Sequence, residues 1–65
     1  MQVIVNGETC ETKAVFVADL VCERGVVPER VAVVRNEVVV PSSARATTRL
    51  EAGDRIELLT FAGGG

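Results

Sequence analysis

The residues of this chain best placed to do chemistry are its last ones, Ala62-Gly63-Gly64-Gly65, and the group that would react is the α-carboxylate of Gly65. Glycine has no Cβ, so a glycine run can extend through a channel too narrow for side chains. Four residues at ~3.3–3.6 Å each reach roughly 13–14 Å. That distance carries a carboxylate from a domain surface into the active site of another protein. An ionised carboxylate is a poor acyl donor and has to be activated, for instance as an acyl-adenylate made from ATP, before a nucleophile can attack it. Glycine-rich ends also occur as inert tails. Here the run follows directly on the last core strand of a 65-residue chain, which favours the functional reading.

Little else in the sequence competes for a chemical role. There is no His, so the usual general base of a nucleophilic triad is missing. Cys10 and Cys22 do not form a C-x-x-C pair and have no His to complete a metal site. They read as small apolar residues, one on a strand and one on a helix. Catalysis by the chain alone is not expected, and neither is a bound cofactor. The 7 basic and 9 acidic residues give a net charge of -2 and are scattered. No basic block marks a nucleic-acid or membrane-surface partner. The apolar runs are too short to cross a bilayer, and the opening Met1-Gln2-Val3-Ile4-Val5-Asn6-Gly7 has neither the charge pattern nor the cleavage site of a signal peptide. The cytoplasm is the expected location.

The elements that must position the tail follow from local pattern. Met1 to Val5 reads as a strand, Asn6-Gly7 as a type I′ turn, and Glu8 to Thr12 as the returning strand. From Val17 to Arg24 the period changes, with Val17, Leu20, Val21 and Arg24 at i, i+3, i+4 and i+7. Gly25 suits the left-handed residue after a helix, and Pro28 follows as a stop. No Ser, Thr, Asp or Asn caps the start. Phe16 and Leu20 are expected to supply much of the core volume. Val31 to Arg35 and Val38 to Val40 form a second hairpin around Asn36-Glu37, ended by Pro41. Ser42 to Thr48 reads as a loop or single helical turn, and Leu50 to Asp54 as a turn that uses Gly53. Arg55 to Phe61 is the last strand.

The order β-β-α-β-β-β places two hairpins around one helix. One helix covers one face of a sheet, which gives a two-layer α+β domain. The last strand can lie centrally beside the first and parallel to it, because the helix supplies the crossover. That arrangement is a β-grasp, or ubiquitin-like, fold: a five-stranded mixed sheet packed on one helix. The domain spans 1–61, and 62–65 form its glycine tail. In the last strand Ile56 and Leu58 alternate with Glu57. With Glu57 in solvent, Leu59 and Phe61 fall on the outer face too, as an apolar docking patch beside the tail.

Over its whole length the sequence resembles the ThiS family of sulfur carriers in thiamin thiazole biosynthesis. The resemblance rests on Val3-Ile4-Val5-Asn6-Gly7, on Val17-Ala18-Asp19-Leu20 and on Val31-Ala32-Val33-Val34-Arg35-Asn36-Glu37-Val38-Val39-Val40-Pro41. It rests most on Leu50-Glu51-Ala52-Gly53-Asp54-Arg55-Ile56-Glu57 followed by Phe61-Ala62-Gly63-Gly64-Gly65. It implies a protein co-substrate, not an enzyme. A ThiF-like adenylating enzyme would activate the Gly65 carboxylate with ATP and magnesium. Sulfur relayed from cysteine, from a donor such as a cysteine desulfurase, would convert it to a thiocarboxylate. A thiazole synthase would then accept the sulfur. The family's terminal Gly-Gly falls on Gly64 and Gly65, and Gly63 matches members with a third glycine. Cys10 and Cys22 are outside the family's signature. A Gly-Gly end also suits a carrier for another pathway (the molybdopterin synthase small subunit, or cysteine or methionine synthesis), a ubiquitin-like modifier joined to lysines, or an interaction module with an inert tail.

Overall fold

A computed structural model of the protein describes residues 1–61. Five strands form one mixed sheet, β1 (Gln2–Val5), β2 (Glu8–Glu11), β3 (Val31–Arg35), β4 (Val38–Val40) and β5 (Arg55–Thr60), with the helix α1 (Val17–Glu23) packed on one face. The spatial order is β2-β1-β5-β3-β4. β5 lies in the middle, parallel to β1 and antiparallel to β3, so the β-grasp arrangement expected from the element order is the one found. None of the described helices is long and apolar enough to cross a membrane.

Both hairpin turns follow their chemistry. Asn6 and Gly7 have φ of 50° and 84°, and Asn36 and Glu37 have 51° and 72°, as a two-residue type I′ turn requires. Asn6 also does something that turn propensity does not announce. Only Ile4 and Val5 pair with β5, so the parallel ladder is short. Asn6 prolongs it: its N–H donates to the Ile56 carbonyl at 2.9 Å, and its Oδ1 accepts the Leu58 N–H at 2.9 Å. A buried strand N–H left without a partner costs about 1–3 kcal/mol, so this side chain helps fix the central strand.

The core is a layer of valines completed by leucine and isoleucine. Val3, Val5, Val33 and Ile56 from the sheet meet Val17 and Leu20 from α1, all at or below 1% exposure. The predicted helical stripe is therefore in place at Val17, Leu20 and Val21, while Arg24 caps the helix and is exposed. Gly25 follows with φ of 73° and donates its N–H to the Cys22 carbonyl, ending the helix in the left-handed manner expected.

Phe16 does not belong to the core. It precedes the helix in an extended conformation (φ -116°, ψ 159°), so its side chain falls out of register with the stripe. Instead it is half-buried, with the Arg49 guanidinium carbon 5.4 Å from its ring centroid, a cation–π pair at the surface. The helix start, uncapped in sequence, is satisfied from elsewhere. Val17 and Ala18 donate their N–H groups to the carbonyls of Thr48 and Arg45, and the Asp19 carboxylate accepts the Phe16 N–H at 3.1 Å. The segment from Ser42 to Leu50, with a 3-10 turn at Ser42–Ala44, thus takes the place of a capping residue.

Candidate functional site

The described part of the candidate site is the outer face of the sheet and the end of β5. Alternation along β5 buries Ile56 and Leu58 and leaves Glu57 exposed. Leu59 is 52% and Phe61 57% exposed, so both lie in solvent as the pattern predicted. The Phe61 N–H donates to the Arg30 carbonyl at 2.8 Å, which anchors the chain one residue beyond the strand. Gly63, Gly64 and Gly65, on which the sequence places passage and reaction, lie outside the described residues, as does the whole 62–65 tail.

Cross-strand register enlarges the patch beyond those two residues. Ala32 stands beside Leu59, and Val34 lies between Glu57 and Val39. Directly paired residues share a face, so Ala32, Val34 and the exposed Val39 extend the apolar surface across three strands. Sequence reasoning missed them because Val31-Ala32-Val33-Val34 is apolar at every position. Its period-2 signal, the one cue that could have separated inner from outer residues, is absent.

One polar group braces this surface from behind. Asp54, which is buried, accepts hydrogen bonds from Arg35 Nε at 2.8 Å, Asn36 Nδ2 at 2.9 Å and the Glu51 N–H at 2.8 Å. Asn36 in turn accepts the Arg55 N–H, so the β3–β4 turn is tied to the start of β5. Burial pushes the Asp54 carboxyl up. The Glu51 N–H, the Asn36 amide and Arg35 outweigh it and hold the group below its ordinary value of 3.8. A depressed carboxylate stabilises the fold above its unfolded pKa, and that contribution is lost as pH falls through the folded value. We therefore expect Asp54→Asn to cost about 1.5–3 kcal/mol near neutrality. Its difference from the unaltered protein should shrink below about pH 4, as read by denaturant melts across pH. A constant difference down to strongly acid pH would show that the charge is not what matters.

The cysteines play no visible part in this site. Cys10 on β2 packs against the core, and Cys22 on α1 is exposed; both are free thiols. Among the described residues no group of three or more His, Cys, Asp or Glu could hold a metal ion.

Comparison with known proteins fits this geometry. The ThiS family model matches residues 3–65. The chain is 38% identical over 66 residues to a thiazole synthase of Paramagnetospirillum magneticum, aligning over 100% of this chain and 20% of that protein. It therefore spans about a fifth of the length of that relative. The crystal structure of a thiamine biosynthesis protein (ThiS) from Geobacter metallireducens superposes with a TM-score of 0.84 at 32% identity, covering 100% of both chains. A solution structure of a thiamine biosynthesis protein from the same organism gives 0.83 at 32% identity, over 100% of this chain and 88% of that one. With a family match that spans nearly the whole sequence and a shared fold, the chain belongs to the ThiS family.

Proposed function

We propose that this protein is a sulfur carrier for thiamin thiazole synthesis, acting as a protein co-substrate in the cytoplasm. The Gly65 carboxylate attacks the α-phosphorus of ATP on a ThiF-like adenylating enzyme that supplies the magnesium, and pyrophosphate leaves. The outer sulfur of a persulfide, supplied by a donor such as a cysteine desulfurase, then displaces AMP from the acyl carbon to give an acyl disulfide. A second thiol reduces that S–S bond, leaving the thiocarboxylate on Gly65 and a disulfide on the donor side. A thiazole synthase accepts that sulfur and returns the carboxylate. Gly63 and Gly64 give the terminus passage, and the surface around Leu59 and Phe61 docks the adenylating enzyme.

The observation that carries this reading is the placement of β5. It is the central strand, pinned on both sides, and it hands the chain to the glycine tail next to an exposed apolar patch. Membership of the ThiS family supports the sulfur chemistry. Similarity to a stretch of a protein named thiazole synthase favours the thiazole pathway over the other sulfur pathways. A carrier-like segment within such a polypeptide would work at high effective concentration.

Two measurements separate the parts of this proposal. Phe61→Asp puts a charge in the docking patch and is expected to weaken binding to the adenylating enzyme roughly tenfold, as loss of an interface anchor does. Unchanged affinity would remove the patch from the account. Purified thiocarboxylate protein, mixed with active thiazole synthase and its other substrates, is expected to return to the carboxylate mass as thiazole appears. Retention of sulfur on the carrier would overturn the thiazole assignment while leaving the carrier chemistry standing.

A further inference from the structure

The face of the sheet away from the docking patch carries a second feature, on the helix side. α1 has seven residues and so is only about 10 Å long at ~1.5 Å per residue. It leaves the β3–β4 side of the sheet partly uncovered. The gap is a groove of about 930 Å³ between α1 and the β3–β4 hairpin, within the size range of small-molecule sites. Ala18, Val21, Val26, Val33 and Val40 form much of its wall, and Arg45 also lines it.

Arg45 is 8% exposed, and among the described residues no carboxylate pairs with it. Nη1 donates to the Pro28 carbonyl at 3.0 Å and Nη2 to the Val31 carbonyl at 2.5 Å. Nε is buried without a partner. A guanidinium has five N–H donors, so most of this fork is unspent. Among the described residues the ion pairs are those of Met1 with Glu11, Arg35 with Asp54 and Arg55 with Glu37. None involves Arg45. Glu29 lines the same groove and makes no ion pair with it. A buried charge is normally matched by an opposite one, as Asp54 is by Arg35.

We propose that this groove binds a small amphipathic carboxylate, with its head on the Arg45 fork and its aliphatic body along the valine-rich wall. The fork matches the geometry of a carboxylate. One guanidinium balances one negative charge, whereas a dianion would bring a second into a groove that the Glu29 carboxylate already lines. The groove meets the docking patch at Ala32 and Val39, but Arg45 has no part in the sulfur chemistry proposed above, so the two proposals stand or fall independently.

The test uses the full-length ¹⁵N-labelled protein and two probes of equal chain length, sodium octanoate and octan-1-ol. Octanoate is expected to move the Arg45 Nε–H signal and the amide signals of Val21, Val26 and Ala46 in a saturable way. Octan-1-ol should bind about tenfold more weakly, the loss that accompanies removal of one charge-assisted hydrogen bond. Arg45→Met, where it still unfolds cooperatively, should abolish the preference for octanoate. The comparison of probes on the unaltered protein stands whether or not that variant folds. Equal binding of the two probes, shifts confined to the outer sheet face, or no saturable shift would each overturn the proposal.

Discussion

Leu20→Ala is expected to destabilise the protein by about 3 kcal/mol, within the ~2–5 kcal/mol range for a buried leucine cut to alanine. Leu20 is fully buried, and it heads the largest side chains that are. It comes from the short helix whose other buried contributors are Val17 and Val21. Few large side chains are present to collapse into the space it leaves, so the cavity penalty adds to the lost transfer energy. A domain of this size has roughly 3–10 kcal/mol of stability in all, so one substitution removes a large share. The midpoint of thermal unfolding should fall by about 12–24 °C, at ~4–8 °C per kcal/mol for small domains. A loss below about 1 kcal/mol would mean that α1 is not the cover of this core.

Adding one residue after Gly65 is expected to abolish charging while leaving the fold unchanged. The reacting group is the α-carboxylate of Gly65, and an extension turns it into an amide whose neutral carbonyl oxygen is too weak a nucleophile for the α-phosphorus of ATP. An added glycine is the sharper form of the test, because it moves the terminal carboxylate one residue further out without adding a side chain that could block the channel. If that form charges poorly, reach as well as chemistry is set by the adenylating site. The readout is pyrophosphate release with the cognate adenylating enzyme, and thermal unfolding serves as the control for the fold. Full charging of a protein extended by a bulky residue would count against Gly65 as the reacting position.

The parts of this structure legible in the sequence are those fixed by neighbours along the chain. Asn6-Gly7 and Asn36-Glu37 announce their hairpins because both positions of each turn need positive φ. Val17, Leu20 and Val21 announce the buried face of α1 by their spacing. The central place of β5 follows from element order, since the helix is the crossover that makes a parallel partner for β1 available. What stayed hidden depends on distant contacts. The cap of α1 comes from the carbonyls of Arg45 and Thr48, which no local signal near Phe16 reveals. Phe16 looked like core because it is large and apolar, yet it lies one position outside the helix. Asp54 and Arg45 are charged residues in polar stretches, where burial has no periodic signature. Leu59 and Phe61 were legible as exposed through the Glu57 alternation, whereas Val34 and Val39 were masked by the unbroken valine run.

The central claim is that the Gly65 carboxylate becomes a thiocarboxylate, and intact-mass spectrometry tests it most directly. The protein is incubated with ATP, magnesium, a verified cognate adenylating enzyme and a sulfur donor. The expected result is a gain in mass equal to the replacement of one oxygen by sulfur, confined on fragmentation to the C-terminal residue. An unchanged mass, or a gain located at Cys10 or Cys22, would contradict it.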